Sequence, residues 1–273
     1  MKKILRLCAV WLAAFTMTLP CAAARPVHVT LNGEQISAGE SRLIANSTYV
    51  PLRSFCAAFG VEDIVWHADS ATAVVSAPGL TIHATVGAVW IEVNGRAFHA
   101  PDGIRLENGV LMIPIRPLAR AFGMTVDWDG STATAILAAT GSGWAKEAEE
   151  VYRQDELYWL SRIISAESRG EALIGQLAVG NVVLNRVASP EFPDSIYGVI
   201  FDRKYAIQFT PVANGTIYQA PAESAVIAAK LALEGYTVSP SVLYFLNPAL
   251  STSFWIPQNR PYAFTIGTHD FYR

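Results

Sequence analysis

The pattern of apolar and polar positions divides the chain into three parts. Residues 7–19 form an apolar run that only two threonines interrupt. Residues 27–138 contain short apolar segments separated by turn-forming pairs such as Asn-Gly, which is typical of β-hairpins. From Glu156 onward the apolar residues recur at spacings of three and four, which predicts amphipathic helices. The sequence therefore predicts a β-rich half followed by a helical half.

The β-rich half contains one pattern twice. The first copy reads Leu31-Asn32-Gly33, Tyr49-Val50-Pro51-Leu52-Arg53, Ala58-Phe59-Gly60-Val61 and Val65-Trp66. The second copy reads Val93-Asn94-Gly95, Met112-Ile113-Pro114-Ile115-Arg116, Ala121-Phe122-Gly123-Met124 and Val126-Asp127-Trp128, at an offset of 62 or 63 residues. Matched features in one order indicate a tandem duplication.

Each copy predicts the same order of elements. The Asn-Gly pair marks a tight hairpin, the Pro-x-Arg segment begins a helix that ends near Phe-Gly, and a strand containing Trp opens a second hairpin. Because Trp66 and Trp128 recur at matched positions, we expect them to pack between sheet and helix rather than to form platforms for sugars.

The first helix of the second half ends in a carboxylate. Its apolar stripe consists of Leu157, Leu160, Ile163 and Ile164. The next positions on this stripe are Glu167 and Ser168. A carboxyl group against apolar surface loses hydration and its pKa rises, so it can act as a general acid in glycosidic cleavage. The alternative is a helix-terminal Glu paired with Arg162 or Arg169, and the stripe leaves both readings open.

Two further helices are predicted, over residues 173–187 and from Pro221 to Gly235. On the first of them, Gly180 would allow a neighbouring helix to approach closely. Asn181 lies on a different face and bonds either a substrate or structural partners. The loop-rich residues 190–220 include Gln208 and Phe209. The aromatic residues of the last 30 positions fit either the walls of a carbohydrate groove or a small core.

Composition excludes several classes of function. The 273 residues are 52% hydrophobic and 16% charged, which is typical of a folded protein. The net charge of −3 and the absence of a Lys/Arg-rich run argue against nucleic-acid binding. Three cysteines are too few for a disulfide scaffold or a Cys-rich zinc site.

Residues 1–24 have the order of a secretory signal peptide. Lys2, Lys3 and Arg6 precede the apolar run, and small residues follow Pro20 and Cys21. The run is shorter than the ~20 residues of a membrane-spanning helix. We therefore expect a secreted or wall-located protein with no transmembrane segment beyond this peptide. An uncleaved anchor and lipidation at Cys21 are the alternatives.

These patterns predict an α+β protein of two domains. Residues 27–138 form a duplicated β-hairpin/helix domain, residues 139–150 a flexible linker around Gly141-Ser142-Gly143, and residues 151–273 a mainly helical domain. The repeated Asn-Gly, Val-Pro-Leu-Arg, Phe-Gly and Trp pattern resembles the copper amine oxidase N-terminal-type domain of exported bacterial proteins. That resemblance implies contacts with the wall or with accessory proteins. The spacing of its histidines offers no metal site.

The helical half carries six ordered motifs. They are Ile164-Ser165-Ala166-Glu167-Ser168-Arg169-Gly170-Glu171, Gly175-Gln176-x-Ala178-Val179-Gly180, Leu184-Asn185-Arg186-Val187, Gln208-Phe209-x-Pro211, Tyr244-Phe245-x-Asn247-Pro248 and Gly267-x-His269-x-Phe271-Tyr272. They resemble the SleB/CwlJ-type cell wall hydrolases, a family that includes spore cortex-lytic enzymes. Ala172 stands where members commonly have Pro, which changes loop stiffness and not chemistry.

The resemblance implies a lysozyme-like catalytic fold related to lytic transglycosylases, with Glu167 as catalytic acid and no cofactor. Ser168 would complete a Glu-Ser pair, and Tyr244 with Asn247 would match the Tyr-Asn pair of lytic transglycosylases. Further predicted substrate-binding residues are Gln176, Asn181, Gln208 and Phe209. The partner is the glycan strand of peptidoglycan, from spore cortex or from vegetative wall.

One carboxylate suffices for a lytic transglycosylase, which protonates the glycosidic oxygen and closes a 1,6-anhydro sugar. Muramidase hydrolysis would need a second carboxylate, for which Glu171 or Asp202 is available. A zinc amidase is disfavoured because the helical half has one His and no Cys, and the lack of Cys also excludes a cysteine peptidase. A non-catalytic wall-binding protein is the remaining alternative.

Overall fold

The computed structural model describes residues 25–204, 207–251 and 253–273. The predicted signal peptide, residues 1–24, lies outside this described part of the chain. The described residues fold around a β-rich core in the first half and helical cores in the second, which confirms the mixed α+β class. No helix in the described residues is both long and apolar enough to cross a membrane.

The first half consists of short strands with two helices. Its strands are β1 (Arg25–Pro26), β2 (His28–Leu31), β3 (Glu34–Gln35), β4 (Arg42–Ile44), β5 (Ser47–Pro51), β6 (Ile64–His67), β7 (Thr72–Ala77), β8 (Leu80–Thr85), β9 (Trp90–Val93), β10 (Arg96–His99), β11 (Arg105–Glu107), β12 (Val110–Pro114), β13 (Met124–Asp129) and β14 (Thr134–Ala139). The helices are α1 (Leu52–Ala58) and α2 (Ile115–Ala121). Sheet orders are β1-β4-β5-β12-β11, β10-β9-β8-β7-β6 and β13-β14-β2-β3.

The two copies of the repeat interlock. Strands β5 and β12 pair antiparallel, with Val50 opposite its own counterpart Ile113. Strand β14 of the second copy pairs in parallel with β2 of the first. Both copies also share one core, in which the rings of Phe55 and Phe122 lie 5.6 Å apart. Neither copy is therefore a separate folding unit.

Local predictions for the first half are confirmed, except for the tryptophans. Asn32 and Asn94 adopt φ of 50° and 49° in the predicted tight turns. Trp66 and Trp128 are 44% and 39% exposed, so the expectation that they pack between sheet and helix is wrong. They lie on β6 and β13, which are edge strands whose outer positions face solvent.

The second half surrounds a central helix. Its helices are α3 (Ala148–Val151), α4 (Gln154–Ser168), α5 (Leu173–Ala188), α6 (Ile196–Ile200), α7 (Thr210–Asn214), α8 (Glu223–Leu233) and α9 (Trp255–Asn259), with a 3₁₀ turn at Thr216–Tyr218. Strands β15 (Tyr244–Leu246), β16 (Tyr262–Ile266) and β17 (His269–Tyr272) form a sheet of order β15-β17-β16. Helix α5 is buried on nearly every side. A Cβ at Gly180 would lie 2.7 Å from Cδ1 of Ile164, so α4 approaches α5 as closely as the sequence suggested.

The segment between the two halves packs against the first half. The side-chain amide of Asn94 donates to the backbone carbonyl of Ala145 at 2.7 Å. The backbone amide of Ala148 donates to the backbone carbonyl of Asn94 at 2.9 Å. Trp144 packs onto the first core. The segment that we predicted as a flexible linker is therefore held in place, and the proposed domain boundary there remains a prediction.

The halves meet where β10 lies beside α8. The Glu234 carboxylate accepts hydrogen bonds from Arg96 Nε at 2.7 Å, from Tyr152 Oη at 2.6 Å and from Arg120. The rings of His99 and Tyr236 stack at 3.6 Å. A buried charge cluster thus joins the halves at this contact.

Candidate active site

A groove of about 1820 Å³ opens on the helical half. Its walls come from the end of α4, the loops within residues 190–220, strand β15 with the residues after it, and the turn between β16 and β17. The α4 stripe buries Leu160, Ile163 and Ile164 against the helical core and then carries Glu167 into this groove. The predicted position of Glu167 at the end of the stripe is confirmed.

The Glu167 carboxyl group is desolvated and unpaired. Burial raises the pKa of Glu167 to about 7, against the opposing charge of Arg186. Among the described residues none donates a hydrogen bond to it or forms an ion pair with it. Arg162 instead stacks on the Tyr158 ring at 3.6 Å, and Arg169 donates to the Ala220 carbonyl at 2.8 Å. The alternative reading, in which Glu167 pairs with Arg162 or Arg169, is therefore wrong.

Arg186 is a buried cation in the groove that sequence reasoning missed. Its guanidinium lies over the rings of Phe192, Phe209 and Tyr244 at 4.9, 5.3 and 5.4 Å, and its Nε donates to the Leu243 carbonyl at 2.7 Å. Burial lowers the pKa of Arg186 to about 10, which leaves it charged at neutral pH. Its positive charge favours the ionised form of Glu167 and so limits the rise of that pKa. The available sequence signal was that Arg186 is the one charged residue of α5.

Glu171 also lines the groove, but it is held by the β16–β17 turn. Its carboxylate accepts hydrogen bonds from Thr268 Oγ1 at 2.5 Å and from the Thr268 amide at 3.2 Å. The hydrogen bond from the Thr268 side chain is the main cause that lowers the pKa of Glu171. A Cβ at Gly267 would lie 1.7 Å from Oε2 of Glu171, so only glycine permits this approach. Glu171 is thus an ionised structural partner of the turn.

Five of the predicted substrate-binding residues line the groove, namely Ser168, Gln208, Phe209, Tyr244 and Asn247. The Ser168 hydroxyl donates back to the Ile164 carbonyl at 2.7 Å, so the helix uses that donor. The Asn247 amide donates to Thr268 Oγ1 at 3.0 Å, which ties Asn247 to the Glu171 turn. Phe209 and Tyr244 form apolar wall on either side of Arg186.

Gln176 and Asn181 do not reach the groove, which corrects the sequence prediction for both. Gln176 Nε2 donates to the Glu171 carbonyl at 3.0 Å and braces the loop after α4. Asn181 donates to the Tyr236 carbonyl at 3.1 Å and accepts from the Val238 amide at 2.8 Å. Of the two open readings of Asn181, the geometry favours structural hydrogen bonding. Its amide is satisfied by backbone that follows α8.

Besides Glu167 and Glu171, the carboxylates that line the groove are Glu191 and Asp202. Asp202 lines the same cavity as Glu167, and its Oδ1 accepts a hydrogen bond from the Lys204 amide at 2.9 Å. Over the described ranges, no three His, Cys, Asp or Glu side chains come together as a metal site would require. The desolvated Glu167 carboxyl gives the groove a group suited to acid–base chemistry.

Desolvation of Glu167 predicts a measurable gain in stability for Glu167→Gln. The pKa is raised from 4.5 to about 7 on folding. Below pH 4.5 the carboxyl is protonated in both the folded and the unfolded state, and as pH rises from 4.5 through 7 the stability falls by up to ~3 kcal/mol. We expect the free energy of unfolding, measured in urea, to be higher for Glu167→Gln than for the parent at pH 8. At pH 4 the two free energies should be equal. Equal stability at pH 8 would contradict the burial of this carboxyl.

Comparison with known proteins gives matches to both halves. Residues 170–272 match the family described as Cell Wall Hydrolase, and residues 30–137 match the Copper amine oxidase N-terminal domain. The chain therefore carries a cell wall hydrolase domain and a copper amine oxidase N-terminal-like domain, which confirms both resemblances. Glu167 lies just before residues 170–272, the stretch that matches the Cell Wall Hydrolase family.

Curated relatives of the helical half are spore cortex-lytic enzymes. The enzymes of Bacillus cereus and Bacillus subtilis are 42% and 41% identical over 120 residues, which are 44% of this chain and 45% and 38% of theirs. A solved catalytic domain of the germination-specific lytic transglycosylase SleB from Bacillus anthracis is 41% identical. It covers 45% of this chain and 97% of its own, with a TM-score of 0.41. The chain thus matches less than half the length of these curated relatives.

Proposed function

We propose that the chain degrades peptidoglycan by cleaving the glycosidic bond between N-acetylmuramic acid and N-acetylglucosamine, as a lytic transglycosylase. The observation that carries the proposal is an unpaired, desolvated Glu167 in a groove large enough for several sugars. Similarity to spore cortex-lytic enzymes and to a lytic transglycosylase supports the same conclusion. An amide-cleaving metalloenzyme finds no support in the groove residues that the structure describes.

The chemistry needs one group that first gives and then takes a proton. A pKa of about 7 keeps much of Glu167 protonated near neutral pH, so it can protonate the bridging oxygen as that bond breaks. The muramic acid C6 hydroxyl then attacks the oxocarbenium-like C1 and passes its proton to the Glu167 carboxylate. The product is a 1,6-anhydro sugar, and no water is consumed.

Arg186 supports the second half of this cycle. Once Glu167 has lost its proton, a buried cation nearby stabilises the carboxylate in surroundings that would otherwise penalise it. Arg186 itself does not contact the scissile bond in this scheme. It acts electrostatically on Glu167, and its aromatic neighbours Phe209 and Tyr244 line the same groove.

Hydrolysis with a second carboxylate is the competing mechanism. Glu171 is a poor nucleophile or base because two hydrogen bonds from Thr268 engage its oxygens. Asp202 is a carboxylate of the groove that could activate water, and Glu191 also lines the groove. Because hydrogen bonds from Thr268 hold the Glu171 carboxylate, we prefer transglycosylation to muramidase chemistry.

The sequence adds a location to this activity. Residues 1–24 have the pattern of a signal peptide, and we propose that the chain is exported and acts at the cell wall. We further propose that residues 27–138 contact the wall or an accessory protein. The substrate class, glycan strands of peptidoglycan, is common to cortex and vegetative wall.

Digestion of purified sacculi tests the proposal. We expect soluble muropeptides whose terminal muramic acid is lighter by one water than the reducing form, as measured by mass spectrometry. Mutanolysin-type reducing ends from the same sacculi provide the reference masses. Products with reducing muramic ends would favour hydrolysis through Asp202, and cleaved peptide stems with intact glycans would contradict glycosidic cleavage altogether.

A further inference from the structure

Five aromatic side chains cluster on the helical half outside the groove. This aromatic patch comprises Tyr158, Trp159, Tyr197, Phe201 and Tyr218. The ring of Trp159 lies 4.9, 5.6, 5.0 and 6.2 Å from those of Tyr158, Tyr197, Phe201 and Tyr218, respectively. Tyr158, Tyr197 and Tyr218 are 44%, 54% and 62% exposed. Rings from three separate segments thus form one continuous apolar surface that solvent reaches.

The proposed reaction does not use this surface. Within the described part of the chain, no hydrogen bond engages the hydroxyl groups of Tyr158, Tyr197 or Tyr218. Contiguous exposed aromatic surface with polar tips is costly to leave in water and commonly marks a binding site. The patch therefore calls for a ligand with flat apolar faces and hydrogen-bonding groups at its edges.

The patch is continuous with the groove at three points. On α4, Tyr158 is followed on the same ridge by Arg162, which stacks on it and lines the groove. Phe201 is followed by Asp202, and Tyr218 by Gln219, and both of these neighbours line the groove. Tyr158 and Glu167 are nine residues apart, or about 14 Å along the helix axis. A ligand on the patch would therefore lie well away from the reacting bond but on a continuous path to it.

We propose that the aromatic patch binds sugar rings of the same glycan strand, several units from the cleavage site. This inference rests on the proposed function. A pyranose ring presents an apolar face of C–H groups that packs against Tyr and Trp rings. Its hydroxyl and acetamido groups can exchange hydrogen bonds with phenol hydroxyls and accept them from Arg162. A polymer that fills the groove must leave it at its ends, and the patch adjoins the groove at Arg162, Asp202 and Gln219.

The test separates long substrates from short ones. The double variant Tyr197→Ala/Tyr218→Ala should bind purified sacculi about tenfold more weakly, because it removes two exposed rings on which sugars would stack. Binding is measured by co-sedimentation in the Glu167→Gln background, where the sacculi are not cut. In the active background, the rate on sacculi should fall by a similar factor while the rate on a tetrasaccharide muropeptide stays unchanged. Tyr262→Ala is the matched control, because Tyr262 is 56% exposed and lies outside both groove and patch.

Three outcomes overturn the proposal. Unchanged binding to sacculi would remove any role of the patch in glycan binding, even if the parent digests walls as proposed. An equal loss of rate on tetrasaccharide and sacculi would show damage to the groove itself. Conversion of an oligomer to a monomer by the double variant, in size-exclusion chromatography with light scattering, would make the patch a self-association surface. If the parent cuts nothing but the variant still loses sacculus binding, the proposed function fails and the patch assignment stands.

Discussion

Replacing Glu167 by Gln should lower the rate of wall digestion by at least 10²–10⁴-fold, the usual contribution of a positioned general acid–base group. The amide has the same shape but cannot donate or accept the transferred proton. Glu167 is unpaired and has a pKa of about 7, so the fold uses it for no structural interaction that Gln would break. The loss should appear in the rate of turbidity decrease of purified sacculi, with an unchanged circular dichroism spectrum.

A matched control distinguishes the loss of the acid from the loss of any carboxylate. Glu223→Gln changes an exposed carboxylate in the first turn of α8, outside the groove, and should digest walls at the parental rate. If Glu167→Gln retained the parental rate, the proton donor would have to lie elsewhere in the groove, with Asp202 as the next candidate. If the parent protein showed no activity, and substitution of both Glu167 and Asp202 left wall binding intact, the chain would be a non-catalytic wall-binding protein.

Replacing Glu234 by Ala should destabilise the contact between the two halves by ~3–5 kcal/mol, which is typical when one partner of a buried ion pair is removed. The Glu234 side chain is 4% exposed, and its loss would leave the Arg96 guanidinium and the Tyr152 hydroxyl without their partner. Urea unfolding followed by fluorescence should show the midpoint fall. The transition should also separate into two steps as the halves uncouple.

The same cluster predicts a dependence on pH. Burial opposes ionisation of Glu234, but hydrogen bonds from Arg96 and Tyr152 and the charge of Arg120 outweigh it, so the net shift lowers the pKa. A carboxylate with a lowered pKa stabilises the fold above its unfolded pKa, and this stabilisation disappears as pH falls through the folded value. The difference between parent and Glu234→Ala should therefore shrink in acid.

The exposed pair of Lys146 and Glu150, 3.7 Å apart, supplies the control for this prediction. Glu150→Ala removes a carboxylate of the same length from a solvent-screened ion pair and should cost no more than ~1 kcal/mol. An equally small effect of Glu234→Ala would mean that the halves are held together by packing such as the His99–Tyr236 stack rather than by the charge cluster.

Local elements could be predicted from the sequence because their signals are local. Asn-Gly pairs need positive φ, so the hairpins at Asn32 and Asn94 were evident. The spacing of apolar residues located α4 and placed Glu167 at its end, where the structure also has it. A carboxyl at the end of the apolar stripe borders apolar groups in any fold that buries the stripe. Its partial burial could therefore be predicted from the sequence alone.

Features that depend on distant partners could not be predicted in this way. The offset of the repeat does not reveal that strands of one copy pair with those of the other, as β14 does with β2. Gln176 and Asn181 carry the same amide in either role, and only the position of backbone after α8 and around Glu171 assigns them to structural bonds. The burial of Arg186 depends on three rings contributed by other segments.

The pairing of Val50 with Ile113 has a consequence for the origin of the first half. These residues occupy equivalent positions, so a pseudo-two-fold axis passes between them, and the contact is of the isologous kind found in homodimers. Two untethered chains, each carrying a single copy, would satisfy the same β5–β12 pairing. Within this pairing the two copies contact each other as the subunits of a homodimer do. Because one chain carries both copies, this pairing does not depend on protein concentration.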